Sequence, residues 1–224
     1  MIPRPVIVFV TDRHRFRLST PDLLDRIAIA AEAGVDLIQL RERDLTDREL
    51  LDLAHRAIAV VRDHRTRILV NERLDIAVAA GAAGVHLRGD SAPAARVRAA
   101  APQRFIIGRS VHRIAEAELV DRGGGCDYLL FGTVFPSGGK PAGHETSGTA
   151  ALAEACRRVR VPVIAIGGIG ASNVHAVAAA GAHGVAAVAP FMELRDRASA
   201  KALVTALRRG FDSDRPVVYS DRTP

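Results

Sequence analysis

Eight short apolar runs, each followed by a longer segment of helical periodicity, restrict this chain more than any other feature. The runs are VIVFV (6–10), DLIQLRER (36–43), RILVNE (67–72), GVHLR (84–88), FIIGRSVH (105–112), YLLFGTVF (128–135), VPVIAIGG (161–168) and GVAAVAP (184–190). An internal echo supports the count. AEAGVDL (31–37), AAGAAGVHL (79–87) and AAGAHGVAA (179–187) each end a helix on glycine, the left-handed cap, and lead into a strand. Between runs the starts of helices are marked: Thr46 and Glu49 have capping-box spacing, and Pro21 follows Thr20 as a first-turn proline. Eight such units without a linker predict one (β/α)₈ barrel over residues 1–210, with a doubly wound open sheet as the competing topology. The segment after Gly210 fits no further unit, so residues 211–224 are expected to be a C-terminal tail.

Bulk properties narrow the function classes. The chain has 224 residues, 48% hydrophobic and 25% charged, the balance of a globular protein. No apolar run approaches the roughly 20 residues of a membrane span. The opening MIPRPVIVFVTD reads as a first strand and not as a secretory leader, which sets the expectation of a cytoplasmic protein with no membrane partner. The net charge is +6, yet the arginines alternate with Asp and Glu and aromatic residues are only 4% of the chain. That pattern argues against a nucleic-acid partner and for a solvated exterior biased towards anionic ligands. Cys126 and Cys156 lack the spacing of a metal or disulfide motif and read as small packing residues.

In such a barrel the chemistry belongs at the C-terminal ends of the strands. Alternation puts Gln39, Arg41 and Arg43 on one face of the second strand and Ile38 and Leu40 on the other. Guanidiniums at a strand mouth need anions: a phosphate or carboxylate ligand, or a salt bridge to Glu42 or Glu72. The third strand ends Asn71-Glu72, the fourth at His86 and Arg88 with Asp90 beyond, the fifth at Ser110 and His112. Gly167 and Gly168 after the seventh strand suit a backbone phosphate nest, with a plain tight turn as the alternative. The helix beyond is expected to be capped by Ser172. The stretch FGTVFPSGGKPAGHETSG (131–148) carries five glycines and Lys140, one of two lysines in the chain. A loop of that length on the active face suggests a binding loop, with Lys140 on a phosphate or pyrophosphate. His144 is either an acid/base group or a solvated loop histidine.

Together QLRER (39–43), VNERLDIA (70–77), GVHL (84–87), GRSVH (108–112), FGTVFPSGGK (131–140) and IAIGGI (164–169) resemble the thiamine-phosphate synthase and thiazole tautomerase (TenI) superfamily. The resemblance runs from Val10 to about residue 205. It implies a (β/α)₈ barrel, a phosphorylated thiazole substrate, a role in thiamine biosynthesis and a possible homodimer. The synthase pattern is matched at Gln39, Arg41, Asn71, Ser110 and Lys140. It is altered at Arg43, in place of lysine, and at Glu72, in place of a magnesium-binding aspartate. Asp90 falls one residue early for the second acid, and Ser137 and Gly139 replace two threonines. With metal ligands Glu72 and Asp90, Mg²⁺ would be the cofactor of a synthase; a tautomerase would need none. Because these departures fall on the magnesium–diphosphate machinery, the reading nearest the resemblance is a TenI-like thiazole tautomerase. Its catalytic groups would be His112, His144 and Lys140, and its substrate-binding set Gln39, Arg41, Arg43, Asn71, His86, Ser110, Thr133, Gly167 and Gly168. Thr133 stands where the tautomerase pattern has its acid/base histidine, and Ala189-Pro190 removes a backbone donor from the eighth turn. The alternatives are the synthase itself, coupling hydroxymethylpyrimidine diphosphate to thiazole phosphate, and a catalytically silent phosphate-binding barrel.

Overall fold

The computed structural model describes residues 2–138, 143 and 145–212. Eight parallel strands close on themselves in sequence order: β1 (Val6–Val10), β2 (Leu37–Leu40), β3 (Arg67–Asn71), β4 (Gly84–Leu87), β5 (Ile106–Val111), β6 (Tyr128–Phe131), β7 (Val163–Ile166) and β8 (Gly184–Ala187). Pairing of β1 with both β2 and β8 excludes the open sheet. Around the barrel run α1 (Thr20–Glu32), α2 (Asp47–Val61), α3 (Leu74–Ala79), α4 (Ala94–Ala100), α5 (Ile114–Gly123), α6 (Gly148–Arg158), α7 (Val174–Ala179), a short α8 (Ala189–Met192) and α9 (Arg197–Asp212). Except for β1, the strands are shorter than the apolar runs that predicted them. What lies beyond each strand end, such as Arg41–Arg43, forms the mouth.

Alternation sorts the strand residues into two cores. Ile7, Phe9, Ile38, Leu40, Val85, Ile107 and Phe131 face the helices, while Val8, Leu37, Leu69, Tyr128, Leu130 and Ile164 fill the barrel interior. Both faces of the strands are buried, as parallel sheets require. Each large side chain buried this way contributes about 1.5–3 kcal/mol.

The caps fall close to their sequence signals. Thr46 and Glu49 form the expected capping box of α2. In α1 the box is Ser19 with Asp22, one residue earlier than expected, so Thr20 is the first helical residue and Pro21 the second. Gly34, Gly81 and Gly181, the echoed glycines, all have positive φ. The last helix continues two residues past the expected boundary at 210 because Phe211 packs into the core. Residues 213–224, most of the expected tail, lie outside the described residues. Arg208 on α9 donates to Pro5 O, Gly34 O and Asp36, and Asp36 accepts the Ile7 N–H at 2.7 Å. These bonds fasten the last helix to the start of the first strand.

Candidate active site

A cavity of about 900 Å³ opens at the C-terminal mouth. Gln39, Arg41, Arg43, Asn71, Asp90, Ser110, His112, Thr133, Gly167 and Gly168 all line it, so ten of the residues expected from strand-end positions converge. His86 and Glu72 do not line it, His86 bonding instead to the lining residue Ser110. Lys140 and His144 lie outside the described residues.

The cavity floor is a polar layer inside the barrel. Gln39, buried at 2% exposure, donates Nε2–H to Asn71 Oδ1 at 2.9 Å. Its Oε1 is buried without a partner among the described residues. A buried acceptor left open is costly, and it marks a place where a ligand donor belongs. Beside it His86 bridges Tyr128 and Ser110, with Nδ1 at 2.9 Å from the Tyr128 hydroxyl and Nε2 at 2.8 Å from Ser110 Oγ. Burial, helped by the charges of Arg109 and Arg41, pushes His86 down to about 3. The ring is therefore neutral at physiological pH and acts as a positioning residue for Ser110. Tyr128 reaches it across the barrel only because residue 108 is glycine: a Cβ there would sit 2.0 Å from Tyr128 Cζ.

His112 is held differently. Its backbone N–H donates to Glu116 Oε2 at 2.8 Å, and Nδ1 lies 2.5 Å from Gly132 O. A carbonyl oxygen only accepts, so Nδ1 carries the proton of this bond and Nε2 is the ring nitrogen left to meet a ligand. His112 is exposed at the cavity wall. On the same side Thr133 O accepts from Ser147 N at 2.8 Å and Ser147 Oγ at 3.0 Å, tying the end of the glycine-rich loop to the barrel. Gly167 and Gly168 have φ of 105° and 63°, values that glycine adopts without strain. Their turn is organised by Asn173, which donates Nδ2–H to Gly168 O at 2.8 Å and accepts Gly170 N–H at 2.9 Å. Asn173, and not Ser172, is the residue at the start of α7.

The opposite wall is cationic. Arg41 donates from its backbone to Thr11 Oγ1 at 3.0 Å and reaches Asp12 at 3.2 Å. Neither Glu42 nor Glu72 pairs with Arg41 or Arg43 among the described residues. Arg43 is held below the usual guanidinium range by burial first, then by Arg41 and Arg88. Asp12, Arg15, Glu116 and Asn173 were not singled out from sequence. Asp12, two residues beyond Val10, continues the inward face of β1 and was open to the same alternation argument.

The metal ligands expected of a synthase are arranged for another purpose. Glu72 has a left-handed backbone (φ 66°), and its Oε1 accepts Arg88 N–H at 2.8 Å and the Ser91 hydroxyl. Asp90 pairs with Arg88 at 2.5 Å. Among the described residues no three His, Cys, Asp or Glu side chains converge as a metal site. Mg²⁺ is ordinarily held by one or two carboxylates with substrate phosphates. Here Glu72 Oε1 is turned to the loop and Asp90 is paired with Arg88, so these two side chains as placed do not fit the ion. Cys126 and Cys156 are half-buried, and burial pushes both thiols up to about 11, as for packing residues. Among the described residues no helix is long and apolar enough to cross a membrane.

A closed (β/α)₈ barrel with a cavity at its C-terminal mouth is the architecture of the barrel enzymes, whose active sites lie at that mouth. The family model described as thiamine monophosphate synthase matches residues 7–191. The chain is 41% identical over 177 residues to a thiamine-phosphate synthase of Methanospirillum hungatei, covering 78% of this chain and 85% of that one. It is 37% identical over 203 residues to a thiamine-phosphate synthase of Desulfitobacterium hafniense, covering 90% and 97%. A solved thiamine phosphate pyrophosphorylase from Pyrococcus furiosus superposes with a TM-score of 0.79 at 29% identity, covering 93% of this chain and 96% of that one. The chain belongs to the thiamine monophosphate synthase family, an enzyme family of thiamine biosynthesis. These relatives carry the name of the synthase, which favours it over the tautomerase expected from the motif departures.

Proposed function

We propose that the chain is a thiamine-phosphate synthase. The observation that carries this reading is the open Gln39 Oε1, buried beneath a rim of guanidiniums. An aminopyrimidine bearing a diphosphate offers both complements, an exocyclic N–H for the amide oxygen and a polyanion for Arg41 and Arg43. The thiazole carboxylate of a tautomerase substrate offers no such amine. In the reaction the thiazole nitrogen lone pair attacks the pyrimidine methylene carbon, a C–N bond forms, and the C–O bond to the diphosphate breaks. Pyrophosphate leaves with the electron pair, so no base is needed to make the nucleophile. Arg41 and Arg43, with Lys140 of the loop, stabilise the charge that develops on the leaving group. Gln39, fixed by Asn71, orients the pyrimidine, and Ser110, fixed by His86, completes the wall of that pocket. The backbone at Gly167 and Gly168 receives the ester phosphate of the thiazole, beside Thr133.

Incubation with hydroxymethylpyrimidine diphosphate and thiazole phosphate is expected to release pyrophosphate well above blank. Gln39→Leu should lower kcat/KM at least tenfold, chiefly through the KM of the pyrimidine substrate. A second reading, the tautomerase, is favoured by one observation, the His112 ring held at the cavity wall by Gly132 O. It predicts no pyrophosphate release. It predicts instead an ultraviolet change as the thiazole carboxylate phosphate becomes aromatic, abolished in His112→Asn. Silence in both assays would remove both readings and leave a phosphate-binding barrel.

A further inference from the structure

The loop between β4 and α4 is pinned from two strands. From the end of β3, Glu72 accepts the Arg88 N–H and the Ser91 hydroxyl. From β5, Arg109, only 8% exposed, donates Nη1–H to Ala92 O at 2.7 Å and Nη2–H to Gly89 O at 2.8 Å and Ser91 O at 2.9 Å. Three bonds from Arg109 to backbone carbonyls and two donors on Glu72 Oε1 hold residues 88–92 as one bracket. The bracket presents Arg88 and Asp90 to the cavity.

On the β1–β4 side of that cavity the guanidiniums of Arg15, Arg41, Arg43 and Arg88 face two carboxylates, Asp12 and Asp90. Cations crowded in this way are relieved by a polyanion. A divalent cation added to the same wall would meet more positive charge, and Glu72 already has one carboxylate oxygen turned to the bracket.

We propose that Arg88, positioned by the Glu72–Arg109 bracket, occupies the role of a divalent cation, so that this wall binds a diphosphate without metal. The carrier of the diphosphate rests on the synthase reading; the metal-independence of the wall does not. A guanidinium supplies both charge and a two-pronged donor, and its planar fork matches adjacent phosphoryl oxygens. On binding, Arg88 exchanges Asp90 for the more highly charged ligand, and the bracket keeps its backbone in place.

Titration calorimetry of the full chain with inorganic pyrophosphate tests this directly, once in excess chelator and once in millimolar Mg²⁺. Binding is expected in chelator. Mg²⁺ should leave the affinity within threefold or weaken it, since the ion competes for the ligand in solution. Arg88→Ala should weaken binding at least tenfold, with Arg88→Lys restoring part of the loss as a charge without the fork. Arg88 is half exposed, and circular dichroism confirms that both variants fold. Pyrophosphate binding that appears only with Mg²⁺, or an Arg88→Ala effect within threefold, overturns the proposal. Metal-free binding without turnover would sink the synthase reading and leave this one standing.

Discussion

At the N-terminal end of the barrel, Arg98 pairs with Asp127 at 2.5 Å and also donates to the carbonyls of Phe105 and Gly125. Asp127 in turn accepts the Ile107 N–H at 2.7 Å. Arg208 and Asp36 repeat the arrangement beside β1. At the C-terminal end, Arg41 reaches a single carboxylate at 3.2 Å, and Arg43 has no carboxylate partner among the described residues. One end spends the guanidinium fork on its own backbone. At the other, Arg109 is spent in the same way on the β4–α4 loop, but Arg41 and Arg43 leave the fork for a ligand. An arginine-rich composition thus hides two roles, seam closure at the floor and anion reception at the mouth, and only the number of internal acceptors separates them.

Substitutions at the two ends should therefore move different observables. The largest expected effect is at the mouth: Arg41→Ala with Arg43→Ala should weaken pyrophosphate binding at least 100-fold, about 2.8 kcal/mol. The urea midpoint should stay within about 0.5 kcal/mol of the parent or rise, because a like-charge pair has been removed. A matching fall in stability would break the comparison. At the floor, Arg98→Ala strands Asp127 and two carbonyls and should cost about 2 kcal/mol of stability. Its pyrophosphate affinity should remain within twofold. An affinity loss there would mean that the two ends are coupled through the barrel.

How legible this division was in the sequence depends on the kind of signal. The barrel followed from periodicity, because parallel strands buried on both faces leave long apolar runs and the echoed glycines must cap helices. The mouth set followed from alternation, which fixes the direction of Gln39, Arg41 and Ser110 once the strand is known. Partners were not legible. Glu72 reads as a metal ligand from its place after Asn71, and only the fold reveals that Arg88 and Ser91 take up its carboxylate. His86 reads as an isolated histidine on an apolar strand, and the bridge to Tyr128 depends on register between β4, β5 and β6. Asn173 in place of Ser172 turned on a one-residue choice between two good capping types, which local propensity does not resolve.

Glu42 is another mouth-side residue turned to its own chain, and it supplies the smallest and sharpest test. It is 5% exposed and accepts the Arg13 N–H at 3.0 Å, with Arg13 Nε at 3.8 Å. Burial outweighs these contacts and those of Thr11, and pushes Glu42 from its ordinary 4.5 up to about 7. Between those values the folded chain binds more protons at this site than the unfolded chain. The contribution of Glu42 to stability is therefore fully present below 4.5 and is lost as pH rises through 7. The shift sets a ceiling of about 3 kcal/mol, and relaxation that admits water to the ionised carboxylate lowers the expected loss to about 1 kcal/mol. Urea midpoints at pH 4.5 and pH 8 should diverge by that amount between the parent and Glu42→Gln, the variant gaining at the higher pH. Parallel profiles would show Glu42 ionised throughout, a member of an ordinary ion pair with Arg13. The clamp on Arg13 would then owe its hold to charge, as the arginine pairs of the floor do.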